Sequence, residues 1–211
     1  MRYIKKIKNN ETLFLCCFSD QNTESVGATY TRWEKAGCPA NGTELVYSGL
    51  TAGSHYTHPG GASNYLCLTK TPFWNKFDDT EQGGALVYGA EYEFDYRSRE
   101  YFFGREITDG DPPCAVCRTG RSSVVMIPGT NRCLDGWTLE YHGYLSADHY
   151  DHKSAATEFV CLDADPEVIP NSSSSNNNGK LFYLSEVRCG SSSLCPPYIN
   201  GRELTCVVCS R

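Results

Sequence analysis

The chain carries one phrase twice: "SHYTHPGGASNYLCL" at residues 54–68 and "DHYDHKSAATEFVCL" at residues 148–162. Each copy sets two histidines three residues apart, then small residues, an aromatic and a cysteine. Read alone, H-Y-x-H beside a cysteine resembles the opening of a metal site. Read twice, it raises a question of architecture, and alignment outward from the phrase answers it. His55 and His149, His58 and His152, Tyr47 and Tyr141, and Cys67 and Cys161 are each 94 residues apart. Cys38 and Cys133 are 95 apart, as are Tyr88 and Tyr183, and the closing CxxC pairs, Cys114/Cys117 and Cys206/Cys209, are 92 apart.

The folded region is therefore two tandem homologous halves, residues 27–120 and 121–211, preceded by residues 1–26. The period is too long, and the copies too few, for a solenoid. A duplicated β subdomain with pseudo-twofold symmetry is the expectation. The local segments read as strands: "TELVYSG", "SSVVMIP", "TEFVCLD", "KLFYLSEV" and "LTCVVC" are short, rich in Val, Phe, Tyr and Thr, and bounded by turn formers. No stretch keeps an apolar i, i+3, i+4, i+7 pattern over a normal helix length. The fold class is all-β, with two disulfide-rich subdomains. "TKTPFWNKFDDTEQGG", "FGREITDGDPP" and the low-complexity "NSSSSNNN" read as connections.

Composition narrows the function classes. Hydrophobic residues are 40% and charged residues 21%, which suits a packed domain rather than a disordered chain. The net charge is −6 and no Lys/Arg cluster lies in the folded region, so a nucleic-acid partner is not expected. No apolar run approaches the roughly 20 residues of a membrane helix. Residues 1–26 read as a tail or an atypical leader, since the apolar core "LFLCCF" is shorter than the roughly 7–15 residues of a signal core.

Twelve cysteines in 211 residues point to an oxidising compartment and a disulfide framework. Sequons at Asn10, Asn41 and Asn171 agree with secretion. Each half has one early cysteine, one middle cysteine and a terminal CxxC, and pairing within a CxxC would be strained. The predicted bridges are Cys38–Cys117 and Cys67–Cys114, repeated as Cys133–Cys209 and Cys161–Cys206, with Cys189–Cys195 clipping a local loop. Cys16 and Cys17 are left as interchain candidates. The competing reading joins the two CxxC motifs in a four-thiolate zinc site. The eight further cysteines and their repetition weigh against it.

"TRWEKAGCP", "GTELVYSGLTAGSHYTHPGGASNYLCL", "YGAEYEF", "PPCAVC", "YHGYLSADHY" and "CPPYINGRELTCVVC" together resemble the C-terminal noncollagenous domain of spongin-type short-chain collagens. That family is related to the noncollagenous domain of type IV collagen, also a tandem duplication of disulfide-rich β subdomains, which drives trimer assembly. The resemblance implies the same bridge pattern and a secreted, self-associating protein of the extracellular matrix. Two departures stand out. The chain has no Gly-X-Y repeat, and the local bridge has no first-half counterpart, where Phe94 sits near the matching position.

Candidate chemistry is sparse. His55, His58, His149 and His152 could share a metal if the halves pack symmetrically. On a strand, i and i+3 point to opposite faces; in a turn they could converge. Otherwise each histidine caps a loop beside the middle cysteine. No G-x-S-x-G or H-E-x-x-H occurs, and Asp78, Asp79, Glu81, Asp109 and Asp111 read as turn residues. The chain is not expected to be an enzyme or to need a cofactor. The expected function is self-association, as a trimer, with itself, collagenous or other matrix proteins as partners. The alternative is a glycan- or matrix-binding module using Trp33, Phe73, Trp74 or Trp137.

Overall fold

Each segment that the sequence marks as strand-forming contributes to a strand of the computed structural model, which describes residues 26–94, 101–153, 156–172, 175–190 and 194–211. The first half supplies β1 (Ala28–Trp33), β2 (Thr43–Gly53), β3 (Leu66–Thr69), β4 (Tyr88–Tyr92) and β5 (Pro113–Thr119). The second supplies β6 (Val124–Pro128), β7 (Thr138–Ala147), β8 (Val160–Asp163), β9 (Lys180–Leu184) and β10 (Thr205–Ser210). The fold is all-β.

Within each half the strands pair in corresponding order. β5 lies antiparallel between β1 and β2, and β10 lies antiparallel between β6 and β7. β2 carries β3 and β4, and β7 carries β8 and β9. Register repeats too: Tyr30 is opposite Cys117 as Val125 is opposite Cys209. Both long strands break register at one extra residue, between Leu45 and Tyr47 in β2 and between Leu139 and Tyr141 in β7. Val46 and Glu140 are therefore the corresponding bulge residues, and a bulge turns its side chain out of the regular alternation. Gly49 and Gly143 recur because a Cβ at either would run into a carbonyl oxygen across the ladder, that of Leu68 or Leu162.

The repeat boundary at residues 120 and 121 does not divide the structure into separate sheets. β1 runs parallel to β8, with Trp33 opposite Leu162, and β4 runs parallel to β9 from the Ala90/Lys180 pair to Tyr92/Phe182. With the antiparallel β7·β9 pairing, the path β7–β8–β1–β5–β2–β4–β9 returns to β7 and closes. Closure removes strand edges that would otherwise stay unpaired.

Core residues also come from both halves. One cluster joins Trp33, Tyr65, Tyr92 and Phe94 to Val160, Leu162 and Phe182; the other joins Tyr30, Ala115 and Cys117 to Tyr141, Cys161 and Val208. Tyr65 stacks on Phe182 with ring centroids 4.4 Å apart, adding an aromatic contact to the burial. Neither half completes a core from its own strands.

Among the described residues five disulfides close the chain: Cys38–Cys117, Cys67–Cys114, Cys133–Cys209, Cys161–Cys206 and Cys189–Cys195. These are the pairs the repeat scheme gives. A CxxC on a strand points its two sulfurs to opposite faces, so each meets a different partner. Five disulfides suggest an extracellular or secreted protein. Among the described residues no helix is long and apolar enough to cross a membrane. Asn10, Cys16 and Cys17 lie outside the described residues.

Candidate assembly surface

The junction between β1 and the second half centres on a buried carboxylate. Glu140 is only 4% exposed and accepts bonds from Tyr30 at 2.7 Å, Thr43 at 3.0 Å and Asn41 at 3.1 Å, all from the first half. Arg121 pairs with its other oxygen at 2.6 Å, and Ser210 donates there too. Burial opposes ionisation, but the bonds from Ser210, Arg121, Tyr30 and Asn41 outweigh it and hold the carboxyl down at about 2. Burial and the Glu140 carboxylate push the Tyr30 phenol well up. A second anchor lies two residues along β1, where Arg32 meets Asp163 at 2.6 Å and 2.8 Å. Between the anchors Tyr30 stacks on Tyr141, and the Tyr141 hydroxyl donates to Cys161 at 3.0 Å.

The corresponding face of the first half has no such cover. Tyr47 makes the same bond as Tyr141, its hydroxyl donating to Cys67 at 2.9 Å, yet Tyr47 is 36% exposed where Tyr141 is 4%. Leu68 is 42% exposed where Leu162, opposite Trp33 of β1, is 0%. Val46, at the Glu140 position, is 53% exposed. Leu45 and Leu50 are exposed on the same strand. The cover over the second half is β1, and its counterpart is β6. β6 stands at the end of the sheet, paired to β10 along one edge; β3 is paired to β2 along one edge. Among the described residues no strand takes the second edge of either. A free edge beside an apolar face is the kind of surface that isolated proteins usually protect.

The paired histidines lie elsewhere, in turns. The His58 amide donates to His55 O at 3.0 Å and the His152 amide to His149 O at 3.2 Å, so both motifs bend and bring their rings together. Ring centroids are 5.0 Å apart in the first pair and 5.1 Å in the second, and Tyr88 and Tyr183 edge against both rings of their pair. Tyr56 packs on His152 at 4.9 Å and joins the two clusters. The Nδ1 atoms are engaged locally: His55 with Thr57, His149 with the Asp151 amide, and His152 with Asp148 at 2.7 Å. Burial and the His58 ring lower the His55 pKa. The four histidines are not gathered into a common ligand set. Among the described residues the one group of three close enough to share an ion is Glu91, Glu93 and Asp109. Both Glu91 oxygens already accept amides, those of Asn177 and Asn178, at 3.0 Å.

The other singled-out residues separate clearly. Trp33 belongs to the core, Trp137 is half-buried, and Phe73, Trp74 and Phe77 stand 97%, 74% and 66% exposed on the loop after β3. Asn171 is exposed. Asn41 is not free: its amide nitrogen donates to Leu139 at 2.9 Å as well as to Glu140. Tyr30, Glu140, Val46 and Val125 had no motif to mark them. Their signal is that the copies disagree in polarity where they otherwise agree. No protein-family model matches the chain.

Proposed function

We propose that the chain is a structural protein of the extracellular matrix that acts by self-association, with function in its interfaces rather than in an active site. The observation that carries this reading is the unequal cover of two corresponding strands: Leu162 is buried on β8, which β1 pairs along its second edge, while Leu68 lies exposed on β3, whose second edge is free among the described residues. The contact of β1 with β8 is heterologous, one surface meeting a different one. A second heterologous contact, β6 of one copy on β3 of the next, closes into a ring or runs on as a filament. The resemblance to noncollagenous collagen domains favours a ring of three.

Sedimentation velocity on the oxidised chain at micromolar concentration tests this. The expected species is three times 23.5 kDa, about 70 kDa. A single 23.5 kDa species across that range defeats the reading. Exposure of Phe73 and Trp74 supports a second reading, a glycan- or matrix-binding module. Binding to a glycan array or to matrix in a pull-down, lost in F73A/W74A with sedimentation unchanged, would favour that module.

A further inference from the structure

We propose that the two junctions are chemically orthogonal: polar pairs reserve the β1–β8 contact for the chain's own halves, and apolar residues at the corresponding positions make the free edges accept β6 of a second copy on β3. This rests on the self-association reading and names its specificity residues.

Register fixes the correspondence. Tyr30 and Val125 both oppose the last cysteine of their CxxC, so Val125 is the Tyr30 of the second half. Two residues on, Arg32 and Ile127 correspond, opposite Ala115 and Val207. Val46 and Glu140 are the two bulge residues. Thr69 and Asp163 correspond, opposite Gly49 and Gly143. Thr43 and Trp137 each lie two residues before the strand residue that opposes the last cysteine, Leu45 or Leu139.

Within the chain, Tyr30 and Thr43 donate to Glu140, and Arg32 pairs with Asp163. At the free edges the same positions hold Val125, Trp137 and Val46, and then Ile127 and Thr69. The acceptor and its Tyr30 donor have changed together, and the charges of Glu140, Asp163 and Arg32 are gone. A carboxylate remains only at Asp135, in the Asn41 position, where it is exposed.

The mismatched pairings are penalised. β6 placed on β8 would set Val125 against Glu140 and Ile127 against Asp163, leaving Asp163 buried without its guanidinium and Glu140 with Arg121 and Ser210 but without the Tyr30 donor. β1 placed on β3 would set Tyr30 against Val46 and Arg32 against Thr69, burying a guanidinium with no counter-charge. An uncompensated buried charge is strongly unfavourable, and building that cost into the wrong complex is how specificity is made. The contact that avoids every such cost is β6 on β3, with Val125 on Val46.

Four chains test the proposal by sedimentation: wild type, V46E, V125Y and V46E/V125Y. Positions 46 and 125 are exposed within one chain, so thermal unfolding should barely change. The V46E substitution alone should weaken association by about 100-fold, because it buries a carboxylate against Val125, which has no hydroxyl to take the part that Tyr30 plays for Glu140. Adding V125Y should recover most of that loss by recreating the Tyr30–Glu140 pair between copies. A monomeric wild type removes self-association and the proposal together. An associating wild type that V46E leaves unchanged, or a double variant no better than V46E, overturns the code while self-association stands.

Discussion

The Tyr30 hydroxyl donates to the Glu140 carboxylate at 2.7 Å, joining residues 110 apart and tying β1 to the half it covers. Glu140 has no first-half counterpart in chemistry, since Val46 holds that position. Replacing Tyr30 by Phe should cost about 2 kcal/mol, the worth of a hydrogen bond to a charged acceptor. Replacing Glu140 by Ala should cost about 4 kcal/mol, because Arg121 loses its buried counter-charge. Urea unfolding of the oxidised protein measures both. Equal, small losses would mean that the carboxylate is not the centre of the junction.

Glu140 also sets an acid limit. Its carboxyl is held at about 2 when folded, against 4.5 as the ordinary value. A lowered folded pKa contributes stability that is fully present above about 4.5 and is lost as the pH falls toward 2. The shift corresponds to about 3 kcal/mol. The stability gap between wild type and E140Q should therefore narrow as the pH is lowered through that window. A gap constant with pH would remove Glu140 from the acid response.

What the sequence made legible was whatever repeats. A cysteine constrains its partner through bond geometry, so the recurring order of early, middle and CxxC cysteines carried the framework. The strands were legible because β-branched and aromatic residues alternate between turn formers. Cover was not legible, because it depends on which strand of one half meets which strand of the other. Val46 and Glu140 look like ordinary drift between copies until the bulge places them at one position. The histidines could not be placed because i, i+3 spacing diverges on a strand and converges in a turn. The His58 amide bond to His55 O settles it.

Glu34 should give the opposite pH dependence to Glu140. It is fully buried, and neither carboxylate oxygen has a hydrogen-bond partner. Burial, and then the Asp163 charge, raise its pKa well above the ordinary 4.5, with Lys35 and Arg105 opposing. The folded state therefore favours the proton. Its stabilising contribution is present below about 4.5 and is lost as the pH rises through the folded pKa. E34Q should gain on wild type as the pH is raised, read as the difference in unfolding free energy at matched pH. A difference independent of pH between about 4.5 and 9 would mean that Glu34 ionises freely.

Of the two sequons in the described region, Asn171 is open and Asn41 is not. The Asn41 amide nitrogen is committed to Leu139 O and Glu140, and its oxygen lies 2.8 Å from the Thr43 hydroxyl, whose one proton is shared with Glu140. A glycan there would displace bonds that hold the junction and would sit in the β1–β7 seam. Chain secreted from a glycosylating host should carry sugar at Asn171 and leave Asn41 bare, as peptide mass mapping will show. Full occupancy at Asn41 in folded protein would mean that the junction forms without that amide.

Two corresponding disulfides allow cross-linking to be separated from packing. Cys67–Cys114 and Cys161–Cys206 close separations of 47 and 45 residues, so chain entropy assigns both about 4 kcal/mol. Their surroundings differ. Cys161 and Cys206 are 2% and 0% exposed, whereas Cys114 is 0% exposed but its partner Cys67 is only half-buried, on the open β3 edge beside exposed Leu68. Removing the sulfurs should therefore leave a void at the second site that solvent and neighbours cannot fill. C161A/C206A should cost about 1 kcal/mol more than C67A/C114A, measured at a concentration where the chain is monomeric. At concentrations where copies assemble the difference should shrink, because β6 of a second copy then covers Cys67 as β1 covers Cys161. Equal costs in the monomer would show that the two faces pack alike despite their unequal cover.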